Sequence, residues 1–379
     1  MNASLPEVTE TIADAASDIL LHSFAVYRVE AATVAKIRAA HRTAAAFFRK
    51  TTIATSSAAP SDDVTVNNNN TTAFLERHRR VKNGNLYGYN VPLQSKELFR
   101  TWYESDPLFK AENNGSNKNS DQEEKQGLEY FRAQQPWPSN EFCAACFHLA
   151  KDLHRLLSRC LQQTIIQNES KKAIEHNDTS LWKPAQDHSQ KVRKLIPSVP
   201  PPRKRFRVSS NATHGPFDDK SDNGNRTNIN NDCGGKTNTS LWSSLRPSFC
   251  PMDFFFYHNR IPNAVNCSEH VDRGALVVVC LTDVPGLEVR SLASQTPSFH
   301  CPEVLIHNEN PYRERTDDLS CPGVVCIMAG DQLSRLLASS NAPDATTTTT
   351  TPRACVHRVR NPLKRARLSI SYELRLDDV

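Results

Sequence analysis

His270 and Asp272 stand two residues apart in CSEHVDRGALVVVCL, just ahead of the apolar, β-branched run Ala275 to Leu281. In an extended chain the period of two puts both side chains on one face while Val271 points away. One imidazole and one carboxylate can then converge on a single cation. The triplet alone is weak evidence, since His176-Asn177-Asp178 repeats it inside a polar stretch with no strand to hold it. A third ligand is supplied by ACVHRV, where His357 sits between Val356 and Val359.

Two imidazoles and one carboxylate on one side of a metal leave three coordination positions open, the donor set of non-heme Fe(II) oxygenases. In the final run, ARLSISYELR, Arg367, Ser369 and Ser371 fall on one face, and Leu368, Ile370, Tyr372 and Leu374 on the other. A guanidinium fork beside a hydroxyl suits a carboxylate. A charged hydrogen bond of that kind contributes on the order of 1.5–3 kcal/mol, enough to orient a small anion.

The elements that must position these residues are short and β-rich from Pro251 onward. DFFFYH (253–258), ALVVVCL (275–281), GLEVRS (286–291), EVLIH (303–307), GVVCIMA (323–329), ACVHRV (354–359) and ARLSISYELR (366–375) read as seven strands. With no strong helical pattern among them beyond Gln332–Ala338, they predict an antiparallel sandwich or barrel. Upstream, SFAVYRV reads as a strand and Ala31–Arg49 as a helix with Val34, Ile37, His41 or Ala44, and Phe48 on its buried face. Phe142, Cys146, Leu149, Leu153, Leu156 and Cys160 keep a four-three spacing that predicts a long amphipathic helix, capped by Ser139 or Asn140 and laid on a sheet. The expected division is residues 1–166 as an α/β region packed on the core, 167–240 as a polar, disordered insertion, and 241–379 as the core itself.

Composition narrows the classes. An apolar fraction of 38% leaves part of the 379-residue chain outside any core, and a net charge of +5 is too mild to imply nucleic acid. No apolar run approaches the roughly 20 residues of a membrane-crossing helix. The N-terminus carries acidic residues where a signal peptide would be basic. Eleven scattered cysteines without an export signal read as reduced thiols. Cys143-Ala-Ala-Cys146, with no second pair, reads as helix packing rather than zinc. A cytoplasmic monomer is therefore expected, with nuclear import left open by the basic tract Arg203–Arg207.

In order and in kind, these motifs resemble those of the isopenicillin N synthase-like group of 2-oxoglutarate- and Fe(II)-dependent dioxygenases. The matching parts are HVD (270–272), PGLEV (285–289), VVCIMAGDQLSRL (324–336), VHRV (356–359) and RLS (367–369), with SFAVYRV, GYNVPLQSKELF and QPWP similar to its helical half. The resemblance implies a double-stranded β-helix (a jelly roll of the cupin kind) with N-terminal helices packed outside. It implies Fe(II) on His270, Asp272 and His357, and 2-oxoglutarate gripped by Arg367 and Ser369, with Tyr257 as a further cosubstrate contact. The implied activity is oxidation by O2, a hydroxylation or desaturation of a small organic molecule, with release of succinate and CO2. An Fe(II) oxidase of the same fold that uses no 2-oxoglutarate, or a catalytically silent jelly-roll binding module, are the alternatives. A small-molecule substrate is expected as partner, and neither nucleic acid nor membrane.

Overall fold

The computed structural model describes residues 6–56, 79–82, 85–93, 96–104, 120–175, 249–291, 298–306, 322–339, 353–362 and 364–377. The chain divides into two units, Met1–Trp182 with Arg246–Val379, and Lys183–Leu245. Every described residue lies in the first. The basic tract 203–207 lies outside the described residues, as does the bulk of the 167–240 stretch.

In chain order the first unit contains β1 (Val8–Thr9), α1 (Ile12–His22), β2 (Phe24–Arg28), α2 (Ala31–Ser56), β3 (Arg79–Lys82), β4 (Asn85–Leu93) and β5 (Lys96–Tyr103). Helices α3 (Ser120–Ala133) and α4 (Asn140–Glu175) follow. Then come β6 (Cys250–Tyr257), β7 (Val265–His270), β8 (Leu276–Cys280), β9 (Leu287–Arg290), β10 (Phe299–His300), α5 (Pro302–Ile306), β11 (Val324–Ala329), α6 (Asp331–Ser339), β12 (His357–Arg360) and β13 (Arg367–Leu374).

The strands form two sheets, a nine-stranded one ordered β1-β2-β11-β8-β13-β6-β5-β4-β3 and a four-stranded one ordered β10-β9-β12-β7. From β6 onward the chain passes back and forth between them. β6, β8, β11 and β13 join the large sheet, and β7, β9, β10 and β12 the small one. Among these eight strands every pairing is antiparallel.

Alternation gives the large sheet two distinct faces. On one, Phe254, Phe256, Leu368, Ile370 and Tyr372 pack beneath helices. Phe48 of α2 stacks on Phe256 at 5.4 Å, Phe142 of α4 meets Phe254 edge-on at 5.2 Å, and His154 Nδ1 of α4 lies 2.8 Å from the Tyr372 hydroxyl. The other face looks toward the small sheet, and between the two a core of Phe24, Val26, Val277, Val279, Leu281, Leu287, Val289, Val324, Cys326 and Met328 is buried.

The long helix begins at its expected cap, where Ser139 Oγ accepts from Phe142 N at 3.1 Å. Cys143 and Cys146 are buried free thiols on it, and burial pushes both well up. It runs on to Glu175, inside the stretch assigned from composition to an insertion. Its last turns are rich in Gln, Glu, Lys and Ala, good helix formers that extend a nucleated helix.

Two further expectations change. Residues 303–306 of EVLIH belong to the short helix α5, not a strand, and His307 lies outside the described residues; Pro302, with its φ already preset at the first helical position, and Glu303 behind it outweigh the β-branched residues. The N-terminal acidic segment is helix α1, capped by Thr11, whose Oγ1 accepts from Asp14 N at 3.1 Å. Among the described residues no helix is long and apolar enough to cross a membrane.

Candidate metal centre and its pocket

The three residues picked out from spacing meet. One ligand atom each from His270, Asp272 and His357 lies within 4.8 Å of the other two. His357 Nε2 is 3.3 Å from Asp272 Oδ2, and His270 Nε2 is 3.7 Å from Asp272 Oδ1. Bonds of roughly 2.1 Å to one ion place perpendicular ligand atoms roughly 3 Å apart, so these atoms need little movement to share one.

The rings are also turned the right way for an ion. His270 Nδ1 lies 2.7 Å from the Ser268 carbonyl oxygen, and His357 Nδ1 lies 3.2 Å from that of Cys355. A carbonyl only accepts, so each Nδ1 carries a proton and each Nε2 is the nitrogen turned toward Asp272, the one available to an ion. Side-chain exposure falls from 38% at His270 through 27% at Asp272 to 7% at His357, so the cluster opens to solvent on one side only. The Cys267 thiol, 3.8 Å from His270 Nδ1, is the main cause that pushes this imidazole up to about 9. Burial is the main cause that lowers His357.

The backbone holding these groups differs from the expected one. His270 and Asp272 do not share a face at the head of the strand that follows. His270 is the last residue of β7, and Asp272 lies in the turn between β7 and β8. What brings them together is the small sheet, where His357 of β12 pairs directly with His270. The turn is fixed by the N-terminus of α6, whose free N–H groups find their acceptors there. Asp331 N donates to Asp272 O at 2.8 Å, and Gln332 N to Gly274 O at 3.1 Å. Gly330 closes the junction, since a Cβ on it would lie 2.1 Å from Gly274 O.

Arg367, Ser369 and Tyr257 lie on the inner face of the large sheet. Arg367 of β13 pairs in register with Tyr257 of β6, and Ser369 with Phe255. The guanidinium is 1% exposed and lies 6.0 Å from the centre of the Tyr257 ring. It is not free as expected. Nη2 meets Glu303 Oε1 at 2.9 Å and Nε donates to Val284 O at 3.1 Å, while the buried Nη1 has no hydrogen-bond partner. The Ser369 hydroxyl makes no hydrogen bond among the described residues. Gly286 permits the packing, since a Cβ there would stand 3.2 Å from Arg367 Cδ. Arg365 and Arg375 pair with Asp283 at 2.9 Å and Glu373 at 2.6 Å.

Sequence reading missed Glu303, 0% exposed at the Arg367 fork, because its segment was taken as a strand. The Pro-Glu start of a helical turn was the available signal.

No family model and no curated protein matches the chain. Among solved structures it is similar to a full-length Neurospora crassa protein in complex with alpha-KG and 5-formyluracil, at 13% identity and a TM-score of 0.47, covering 97% of this chain and 78% of that one. It is similar to the dioxygenase for auxin oxidation in rice at 14% identity and a TM-score of 0.48, covering 98% and 83%. The dioxygenase for auxin oxidation 1 from Arabidopsis thaliana, as its 2-oxoglutarate binary complex, gives 12%, 0.47, 98% and 93%. The chain is similar to 2-oxoglutarate oxygenase structures.

Proposed function

We propose that this chain is an Fe(II)- and 2-oxoglutarate-dependent oxygenase built on an eight-stranded jelly roll, β6 to β13. The observation that carries the reading is the convergence of two proton-directed imidazoles and one carboxylate at the open end of the strand sandwich. His270, Asp272 and His357 would hold the iron and leave half of its coordination positions to ligands from outside the protein. When bound, that metal supplies the oxidative chemistry with O2, converting 2-oxoglutarate to succinate and CO2 while a small organic substrate is hydroxylated or desaturated.

The protein's own contribution is placement. The Nδ1 protons of His270 and His357 stay on backbone carbonyls and hold both rings in the ligating orientation. The orphaned Nη1 of Arg367 and the unbonded Ser369 hydroxyl supply donors for the distal carboxylate of 2-oxoglutarate, with the Tyr257 ring as the wall between them and β5. The apolar lining below excludes water. A location in the cytoplasm and a monomeric state are part of the same proposal.

Anaerobic titration of the purified chain with Fe(II) and then 2-oxoglutarate tests it. The expected result is one Fe(II) per chain and a visible charge-transfer band that appears only with both ligands. Asp272→Ala should abolish iron binding, and Arg367→Ala should raise the 2-oxoglutarate concentration needed for the band by at least tenfold. Iron binding without any band would leave an Fe(II) oxidase that uses no 2-oxoglutarate. No iron binding would leave a silent binding module.

A further inference from the structure

On the inner face of the large sheet β5 carries Lys96 and Arg100, and β13 carries Arg367, with Arg375 just beyond its end. Each arginine has its own carboxylate. Arg100 holds Asp253 through two hydrogen bonds of 2.6 and 2.5 Å, Arg367 holds Glu303, and Arg375 holds Glu373. Lys96 has none among the described residues. Its ammonium rests over the rings of Phe255 and Tyr257, 4.2 and 5.4 Å from their centres.

Register fixes where this lone cation stands. Lys96 pairs with Tyr257, and Tyr257 pairs on its other side with Arg367, so the three side chains form one row across the sheet. Two cations flank one tyrosine ring. The Arg367 guanidinium is already neutralised by Glu303, so a second carboxylate at Nη1 would leave that corner with a net negative charge in a place of low dielectric. Lys96 is the group that offsets it. A half-buried ammonium that rests on two rings, with Asp253 and Cys267 near it but no ion pair among the described residues, is itself underpaired, which a carboxylate over Tyr257 would relieve.

We propose that Lys96 is the second cation of the cosubstrate site and pairs with the distal carboxylate of 2-oxoglutarate from the side opposite Arg367. This rests on the oxygenase reading given above. Lys96 makes no hydrogen bond or ion pair with the three metal-ligating side chains, and its charge reaches His270 only by way of the Cys267 thiol, so metal affinity is measured alongside.

The test is calorimetric titration of 2-oxoglutarate into the anaerobic, Ni(II)-loaded wild-type, Lys96→Met and Lys96→Arg proteins, with 2-oxobutyrate, which lacks the distal carboxylate, as a second titrant. Methionine keeps an unbranched apolar stem over the rings, so the fold should persist, and unchanged Ni(II) affinity would verify it. At least tenfold weaker 2-oxoglutarate binding in Lys96→Met, near-wild-type binding in Lys96→Arg, and no change for 2-oxobutyrate are expected. Equal 2-oxoglutarate affinity in wild type and Lys96→Met overturns the assignment and leaves the oxygenase reading standing. Equal weakening for both titrants also overturns it, because the lysine would then act on something other than the distal carboxylate. A wild-type protein that takes Ni(II) but no 2-oxoglutarate overturns both.

Discussion

Glu303 and Arg367 form a pair 0% and 1% exposed, in which the arginine offers its carboxylate partner only part of its fork. A buried ion pair is weak evidence for stability, but removing one member strands the other charge at about 3–5 kcal/mol. Glu303→Gln should therefore lower the unfolding free energy by roughly that amount, read by urea denaturation. The same substitution frees the full positive charge of Arg367, so 2-oxoglutarate should bind more tightly to the folded fraction. A variant that binds 2-oxoglutarate less tightly than wild type would mean that Glu303 orients the guanidinium rather than competing for it. The meeting of His270, Asp272 and His357 was legible from sequence because each sits on or beside an apolar, β-like run that restricts where its side chain points. The placing of Glu303 and Lys96 was not, because it is set by what lies across the sheet from each. No spacing along the chain records that.

Helix α1 shows the same limit one level up. It escaped sequence reading because its apolar side is short, Ala15, Ala16 and Ile19 with His22, and acidic residues surround it. One of these, Asp18, has a buried carboxylate oxygen with no hydrogen-bond partner, and burial, then Asp14, raises its pKa from 3.8 to about 6. The folded chain thus holds this proton more tightly than the unfolded chain does. Its contribution to stability is present in full below about pH 4 and is lost as the pH rises through about 6. Asp18→Asn should stabilise the protein above pH 6, by on the order of 1–3 kcal/mol, and give no gain below pH 4. Thermal melts of both proteins across that range decide it, and a gain that does not vary with pH would rule out the buried charge as its cause. By contrast, the four-three apolar spacing of α4 and the alternation of β13 were readable because each covers a long, one-sided buried face. α5 was not, being a single turn whose position is set by the Arg367 contact.

At the scale of the molecule, the large sheet makes the division at residue 241 a boundary in sequence only. β6 pairs with β5 along its whole length, from Cys250 opposite Tyr103 to Tyr257 opposite Lys96. β11 pairs with β2 from Met328 opposite Phe24 to Val324 opposite Arg28. Residues 246–379 alone would expose both of these edges, together with the face that carries Phe254, Ile370, Tyr372 and Leu368, each no more than 3% exposed. Keeping a large apolar side chain buried contributes about 1.5–3 kcal/mol, so the lost cover rivals the roughly 5–15 kcal/mol by which a whole domain is stable. Long unpaired edges beside an uncovered aromatic face also template association between copies. A fragment of residues 246–379 should therefore aggregate or lack a cooperative thermal transition, although it contains His270, Asp272, His357, Arg367 and Ser369. Co-expression with residues 1–182 should restore a soluble species that binds Fe(II), because that segment returns β2, β5 and the helices over the aromatic face. A soluble 246–379 fragment with a sharp melt and iron bound at wild-type affinity would show that the strand sandwich stands without them, and the role of the N-terminal half would then reduce to Lys96 and the pocket wall.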